Sequence, residues 1–348
     1  MFTFPFDQTP HPCLWTGLGI HQRDSVTTTA TTGTTANGIT SEDEAKLRAI
    51  IVSELVSLME ENSLMEASQL IPKLCSSKES TLKKIMRMIG KKSSKVRDVK
   101  SSSGYVGPPG SGAPTPVFGA ALEHLASGNE YAGIHSVPTI VVKCVMALEK
   151  NGIRSNGIFR VAGNQQNAKE LRRRIDSGEE IDFDKIPPND ISIVFKAFLR
   201  ELREPLLTYK LYPVFISVAN TSEASLKVKA LRLLICLLPT VHRTTLQFLL
   251  GFLAEVAALS DLNSMTSSNL AIVFGPNILQ APPSNKKLDV DAIAHTNAAA
   301  DVVDCMIQYH QELWQIPDYL IERANEAKKH SHSKNRAQPR PSLSPRTG

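Results

Sequence analysis

Between residues 117 and 314 the chain repeats apolar stripes at helical spacing, separated by short polar breaks. Val141, Cys144, Val145 and Leu148 fall on one face of a helix that can start at Pro138 and stop at Gly152. Ala168, Leu171 and Ile175 mark the next, with Asn164 placed to cap it and Gly178 beyond its end. Ile191, Val194, Phe195, Phe198, Leu199 and Leu202 line a third, opened by Pro187-Pro188-Asn189-Asp190 and ended at Glu204-Pro205. Leu226, Ala230, Leu234 and Leu238 form a stripe closed by Pro239, and Leu246, Leu249, Leu250, Leu253, Val256 and Ala257 form a long core-type stripe. Thr266 can cap a short helix that Gly275-Pro276 ends, and Val302, Val303, Met306 and Ile307 mark the last. No run alternates apolar and polar residues between regularly spaced turn signals, so the expected fold class is all-α.

The flanks read differently. Residues 1–40 contain the threonine-rich tract Ser25 to Thr35, which has almost nothing to bury, and are expected to be disordered. Residues 41–100 are expected to be helical. Ser41 and Glu44 have capping-box spacing, and Leu47, Ile51, Leu55, Leu58 and Met65 recur at helical intervals, with a break near Glu61-Asn62-Ser63. That amphipathic helix can pack on the main domain, pair with another copy or bind a partner helix. Residues 78–100 interleave Lys83, Lys84, Arg87, Lys91 and Lys92 with Leu82, Ile85, Met86, Met88 and Ile89. The segment suits either an anionic membrane surface or a solvated face beside a linker. Residues 101–116 are a Gly/Ser/Pro linker, 117–316 the helical domain, and 317–348 a basic Pro/Ser-rich tail. The tail reads as plain disorder, a proline-rich ligand or a phosphorylation target.

Composition narrows the class. The 348 residues are 42% hydrophobic and 21% charged, as in an ordinary water-soluble domain, and no apolar run is long enough to cross a bilayer. The formal net charge of +5 suits an acidic or phosphate-bearing partner and is too small to argue for nucleic acid. Cys13, Cys75, Cys144, Cys236 and Cys305 are far apart and odd in number, which points to reduced structural thiols rather than a metal site. The first residues lack the pattern of a signal peptide, so a cytoplasmic location is expected, peripheral at membranes if residues 78–100 bind them.

The run Gly157-Ile158-Phe159-Arg160-Val161-Ala162-Gly163 separates the first two domain helices. Its glycines permit a tight turn or positive φ. Phe159 and Val161 are candidates to anchor the turn, and Arg160 is the member that cannot be buried cheaply without a partner. One reading is a surface arginine in an ion pair worth about 0–1 kcal/mol; the other is a stiff loop that presents a guanidinium to another molecule's anion. Arg172, Arg173 and Arg174 form a basic ridge on the following helix. Ser192, Lys196 and Arg200 are four apart and share a face. Asn269 lies in the polar first turn of an apolar helix, where it either caps that helix or faces a partner.

These blocks, together and in this order, resemble the RhoGAP family from about Val117 to Trp314. The resemblance rests on Gly157 to Gly163; on Lys196-Ala197-Phe198-Leu199-Arg200-Glu201-Leu202-Arg203-Glu204-Pro205-Leu206-Leu207; on Leu238-Pro239 with His242, Thr245-Leu246 and Leu249-Leu250; and on Asn263-Ser264-Met265-Thr266 followed by Asn269 to Asn277. It implies a helical bundle that binds a Rho-family small GTPase and speeds GTP hydrolysis. Arg160 falls where the family places its arginine finger, and Lys196, Arg200 and Asn269 fall where it places residues that contact the GTPase or support the finger. Within that frame Arg200 is expected to brace the Arg160 turn and Lys196 to touch the GTPase. Arg203 stands where the family often has proline, and Asn156 where an acid is common. The resemblance implies no cofactor or metal of the chain's own, since GTP and Mg²⁺ belong to the partner. A non-catalytic docking module of the same fold, and a membrane or nucleic-acid binder led by residues 78–100, are the rival readings. Oligomeric state is left open by the sequence.

Overall fold

The computed structural model describes residues 41–62, 64–75, 116–126, 136–283 and 291–314, together with 317–320, 322, 323 and 326. The expectations for residues 1–40, for the basic segment 78–100, for nearly all of the linker and for most of the tail lie outside these described residues. Among the described residues there is no strand, and no helix is long and apolar enough to cross a membrane.

The chain divides into two compact units, the larger from Leu55 to Trp314. Of the smaller, the described residues are 41–54, 317–320, 322, 323 and 326. In it, Glu54 accepts hydrogen bonds from the Tyr319 hydroxyl (3.1 Å) and from Arg323 (2.7 Å), and Leu47, Ile51 and Leu320 are buried. Helix α1, Ser41–Glu61, runs through the division and stops just before the expected break. Its buried positions are Leu47, Ile51, Leu55 and Met59, strictly four apart. Leu58 is only partly covered and Met65 is 52% exposed, so the stripe follows one tight i, i+4 ridge and the chain leaves it once the helix ends.

The larger unit continues with α2 (Met65–Cys75), α3 (Leu122–Ala126), α4 (Thr139–Asn151), α5 (Gln165–Asp176), α6 (Pro188–Glu201) and α7 (Tyr212–Ala219). It is completed by α8 (Ala224–Cys236), α9 (Thr240–Ala258), α10 (Ser260–Asn263), α11 (Ser267–Ile278) and α12 (Asp291–Gln308). Pro138 and Pro187 precede α4 and α6, and Asn164 caps α5 by accepting from the N–H groups of Gln166 and Asn167. Helix α7 has no legible stripe because Tyr212-Pro213-Val214-Phe215-Ile216-Ser217-Val218-Ala219 is apolar nearly all round; it packs between α8, α12 and α2.

The centre of the unit is α6, α9, α11 and α12, whose facing residues Phe195, Phe198, Leu249, Leu253, Phe274, Val302 and Met306 are essentially inaccessible. Helix α11 does not end at Gly275-Pro276 but runs to Ile278. Pro276 lacks the N–H that would bond to the carbonyl of Ile272, and Ile272 lies at an exposed position where water can take that role. Asn277 meanwhile donates its side-chain N–H to the Val273 carbonyl (2.6 Å). Gly275 itself lets α12 approach: a Cβ there would lie 3.0–3.1 Å from the backbone of Ala299 and Ala300. Cys144, Cys236 and Cys305 are buried and unpaired, and burial raises all three thiols, Cys236 and Cys305 to about 11, which makes them inert.

Candidate functional site

The segment between α4 and α5 is a series of tight turns bonded to itself. The N–H of Ser155 donates to the Gly152 carbonyl, that of Ile158 to Ser155, and those of Arg160 and Val161 to Gly157. Gly157 has φ +69°, and Phe159 shares that left-handed conformation at φ +71°. A phenylalanine there costs about 1–3 kcal/mol of backbone strain. Its ring is fully buried, edge-on to Phe274 (centroids 4.9 Å apart) and to Phe252 (6.0 Å). Burial of such a side chain contributes about 1.5–3 kcal/mol, and each aromatic pair about 0.5–1.5 kcal/mol more, so packing offsets the strain. Phe159 is therefore the anchor of the turn. Val161 is not: it is 46% exposed and folds over Gly157, where a Cβ would come within 2.7 Å of its methyl. The left-handed step at Phe159 turns the ring inward and leaves the residues after it outside.

Arg160 stands next to this anchor and is exposed. Among the described residues its guanidinium makes no hydrogen bond or ion pair; it lies over Gly157, within 3.7 Å of where a Cβ would be. The basic ridge behind it is neutralised by ion pairs. Arg172 holds Glu201 through both guanidinium nitrogens (2.9 and 2.6 Å), Arg173 pairs with Glu170 (2.6 Å) and Arg174 with Glu179 (2.7 Å). Arg160 thus keeps a free cation that the arginines of α5 do not.

Lys196 reaches the turn from α6 and donates to the Phe159 carbonyl (2.5 Å). Burial, and then the nearby Arg200 cation, lower its pKa. Arg200, one turn further, is exposed, and among the described residues its guanidinium makes only a loose 3.9 Å contact with Glu201. The brace expected of Arg200 is thus made by Lys196, because α6 points Lys196 at the turn and Arg200 past it. Asn269, in the first turn of α11, is half-buried; its backbone N–H goes to the Thr266 cap (3.2 Å) and its side chain donates to the Ser264 carbonyl (3.1 Å). Arg160, Lys196 and Asn269 therefore attach to one region, the turn at Gly157–Val161 and the loop ahead of α11, while Arg200 lies at the end of α6 and the exposed Arg203 just beyond it.

Sequence reasoning passed over further supports. Asn263, the last residue of α10, accepts from the Gly157 N–H at its backbone carbonyl (2.7 Å) and donates its side-chain amide to the Ile153 carbonyl (2.9 Å). Asp190 in α6 accepts from the Asn164 N–H (2.6 Å) and from the Asn167 side chain (2.9 Å), which ties down the far end of the turn. Gly163 is needed there because a Cβ would lie 2.5 Å from Asp190 Oδ1. An asparagine and an aspartate near helix ends look like caps, and no spacing rule reveals that they reach loops distant in sequence. Around the turn, Leu262 and Ile272 leave 55% and 62% of their surface open. The site therefore combines an exposed cation, fixed backbone and exposed apolar side chains, and the described residues hold no metal-ligand cluster.

Residues 138–283 match the family described as RhoGAP domain. Mouse Rho GTPase-activating protein 40 is 36% identical over 188 residues, 53% of this chain and 28% of that protein. Human Rho GTPase-activating protein 1 is 34% identical over 212 residues, 61% of this chain and 46% of that protein. The crystal structure of human Rho GTPase activating protein 15 superposes with a TM-score of 0.51 at 27% identity, covering 57% of this chain and 91% of that one. The matched part spans less than half the length of these curated relatives.

Proposed function

We propose, from the match of residues 138–283 to the family described as RhoGAP domain, that the chain binds a Rho-family small GTPase and accelerates GTP hydrolysis by lending Arg160 to the partner's nucleotide site. The observation that carries this reading is the state of that side chain: exposed, unpaired among the described residues, and mounted on a turn whose backbone is tied to α6 and α10.

Transfer of the γ-phosphoryl group to water builds charge on the phosphate and leaving-group oxygens. The partner supplies its phosphate loop, Mg²⁺ and a water-orienting glutamine, and an arginine provided in trans adds about 10³- to 10⁵-fold in rate. That corresponds to about 4–7 kcal/mol of barrier. Arginine suits the role because it stays charged and donates through a planar fork. The chain contributes this guanidinium and its rigid mounting; nucleotide and metal belong to the partner. Lys196 supports the finger from behind, Asn269 supports the loop ahead of α11, and Arg200, Arg203, Leu262 and Ile272 form surface for the GTPase.

The test is single-turnover GTP hydrolysis by a panel of purified Rho-family GTPases. Wild type should accelerate at least one of them, and Arg160→Ala should lose about 10³-fold or more while still binding the GTP-loaded form. Arg160→Lys should recover little, since the ammonium keeps the charge and loses the fork. Undiminished acceleration by Arg160→Ala would overturn the mechanism and leave a docking module.

A further inference from the structure

We infer that Asn263 is the positioning residue of the finger turn, holding Gly157 and Ile153 so that Arg160 projects along a single direction; the inference deepens the function proposed above and rests on it. The bonds inside residues 152–161 make the turn a stiff body, but they do not fix its orientation on the scaffold. That orientation is set by ties to the rest of the domain. Lys196 and the buried Phe159 ring hold the middle, and Asn263 holds the front at two places: its backbone carbonyl accepts from the Gly157 N–H, and its side-chain amide, whose bonds also fix where that carbonyl sits, donates to the Ile153 carbonyl. Gly157 is the residue about which the turn would pivot, since it has no side chain to pack and sits in the left-handed region. The guanidinium is at the end of a long side chain, so a small pivot at Gly157 is amplified where the phosphate would lie.

Asparagine is the residue type this job requires. The Asn263 amide donates one N–H to Ile153 and the other to the Val256 carbonyl (2.8 Å), while its Oδ1 accepts from the Met265 N–H (2.8 Å). The side chain is fully buried, so every one of these groups would be costly to leave unpaired. Aspartate keeps the acceptor and loses both donors; alanine loses all three. The bond to Val256 secures Asn263 to the last turn of α9, and the left-handed Ser264 that follows carries the carbonyl bonded by Asn269. One side chain therefore joins the finger turn, the end of α9 and the approach to α11.

The experiment is a double-mutant cycle in the full chain. Asn263→Ala should lower the single-turnover rate at saturation by about 10- to 100-fold, the size of effect expected of a misplaced catalytic group, with the concentration for half-saturation changed by less than about 3-fold. In an Arg160→Ala background the same substitution should add almost nothing, because its effect passes through the arginine. A loss that multiplies with that of Arg160→Ala, or one confined to binding, overturns the inference. A second readout needs no GTPase. Amide hydrogen exchange at Gly157 and Ile158 should quicken in Asn263→Ala while the middle of α9 stays protected, and unchanged exchange at Gly157 also overturns it. If wild type accelerates no GTPase, the proposed function fails while the exchange data still decide whether Asn263 orients the turn. Should Asn263→Ala not fold, Asn263→Asp, isosteric and still able to accept from Met265, is judged by the same measurements.

Discussion

At the scale of single residues, the domain uses polar side chains mainly to hold backbone. Lys196, Asn263, Asp190 and Asn269 each bond to a main-chain atom of the turn before α5, the start of α5 or the loop before α11, and Asn263 bonds to the last turn of α9 as well. Arg160 is the contrast, an exposed side chain with no partner among the described residues. A different group reports on pH. Burial, and then the Glu255 carboxylate, raise Glu149 on α4 from the ordinary 4.5 to about 7. A carboxyl whose folded pKa lies above its unfolded one stabilises the fold in its protonated form. That contribution is complete below about 4.5 and is lost as pH rises to about 7. Because Glu149 is partly solvated, the loss should be about 1 kcal/mol. Glu149→Gln should therefore melt above wild type at pH 8 and match it near pH 4. Thermal melts across that range check the sign, and a wild type whose stability rises from pH 5 to pH 7 relative to the variant contradicts it.

At the scale of elements, the stripes and stops of the sequence locate most helices, while departures occur where a neighbouring helix intervenes. Apolar positions at Ile191 to Leu199 and Leu246 to Val256 are buried as their spacing requires. Thr266 caps α11 as its position suggests. Gly275-Pro276 carries a strong stop signal, yet α11 continues because α12 packs against Gly275 and Asn277 bonds back to Val273. Helix α7 has no stripe because both of its faces are covered. The α11–α12 approach makes a direct prediction. Gly275→Ala places a methyl 3.0–3.1 Å from the backbone of Ala299 and Ala300, which cannot move as a side-chain tip can. It should destabilise the domain by about 1–3 kcal/mol despite alanine's better helix propensity. Urea unfolding of the variant tests this; a neutral or stabilising effect would mean that α12 yields easily.

At the scale of the whole molecule, the charge that matters is unevenly distributed. The chain carries a formal net charge of +5, but Arg172, Arg173 and Arg174 are compensated by Glu201, Glu170 and Glu179. Arg160 in the turn before α5, Arg200 at the end of α6 and Arg203 just beyond it remain exposed. An anionic partner should be steered there, so raising salt from about 0.05 to 0.5 M should lower kcat/KM several-fold. The single-turnover rate at saturation should change much less. A salt effect confined to that saturated rate would argue against steering by these cations.

The stripes and stops from Pro138 to Ile307, read without any structure, were enough to indicate an all-helical domain, because helical periodicity is a local property of the chain; Arg160 stood out only through the resemblance of the ordered blocks, since its turn alone also suits a surface arginine. The choice of Lys196 over Arg200 as the brace, the inward Phe159 beside an outward Val161, and the part played by Asn263 were decided only by tertiary packing. Each depends on a bond or contact between segments tens of residues apart, and the direction in which a side chain reaches across that gap is set by how whole helices pack.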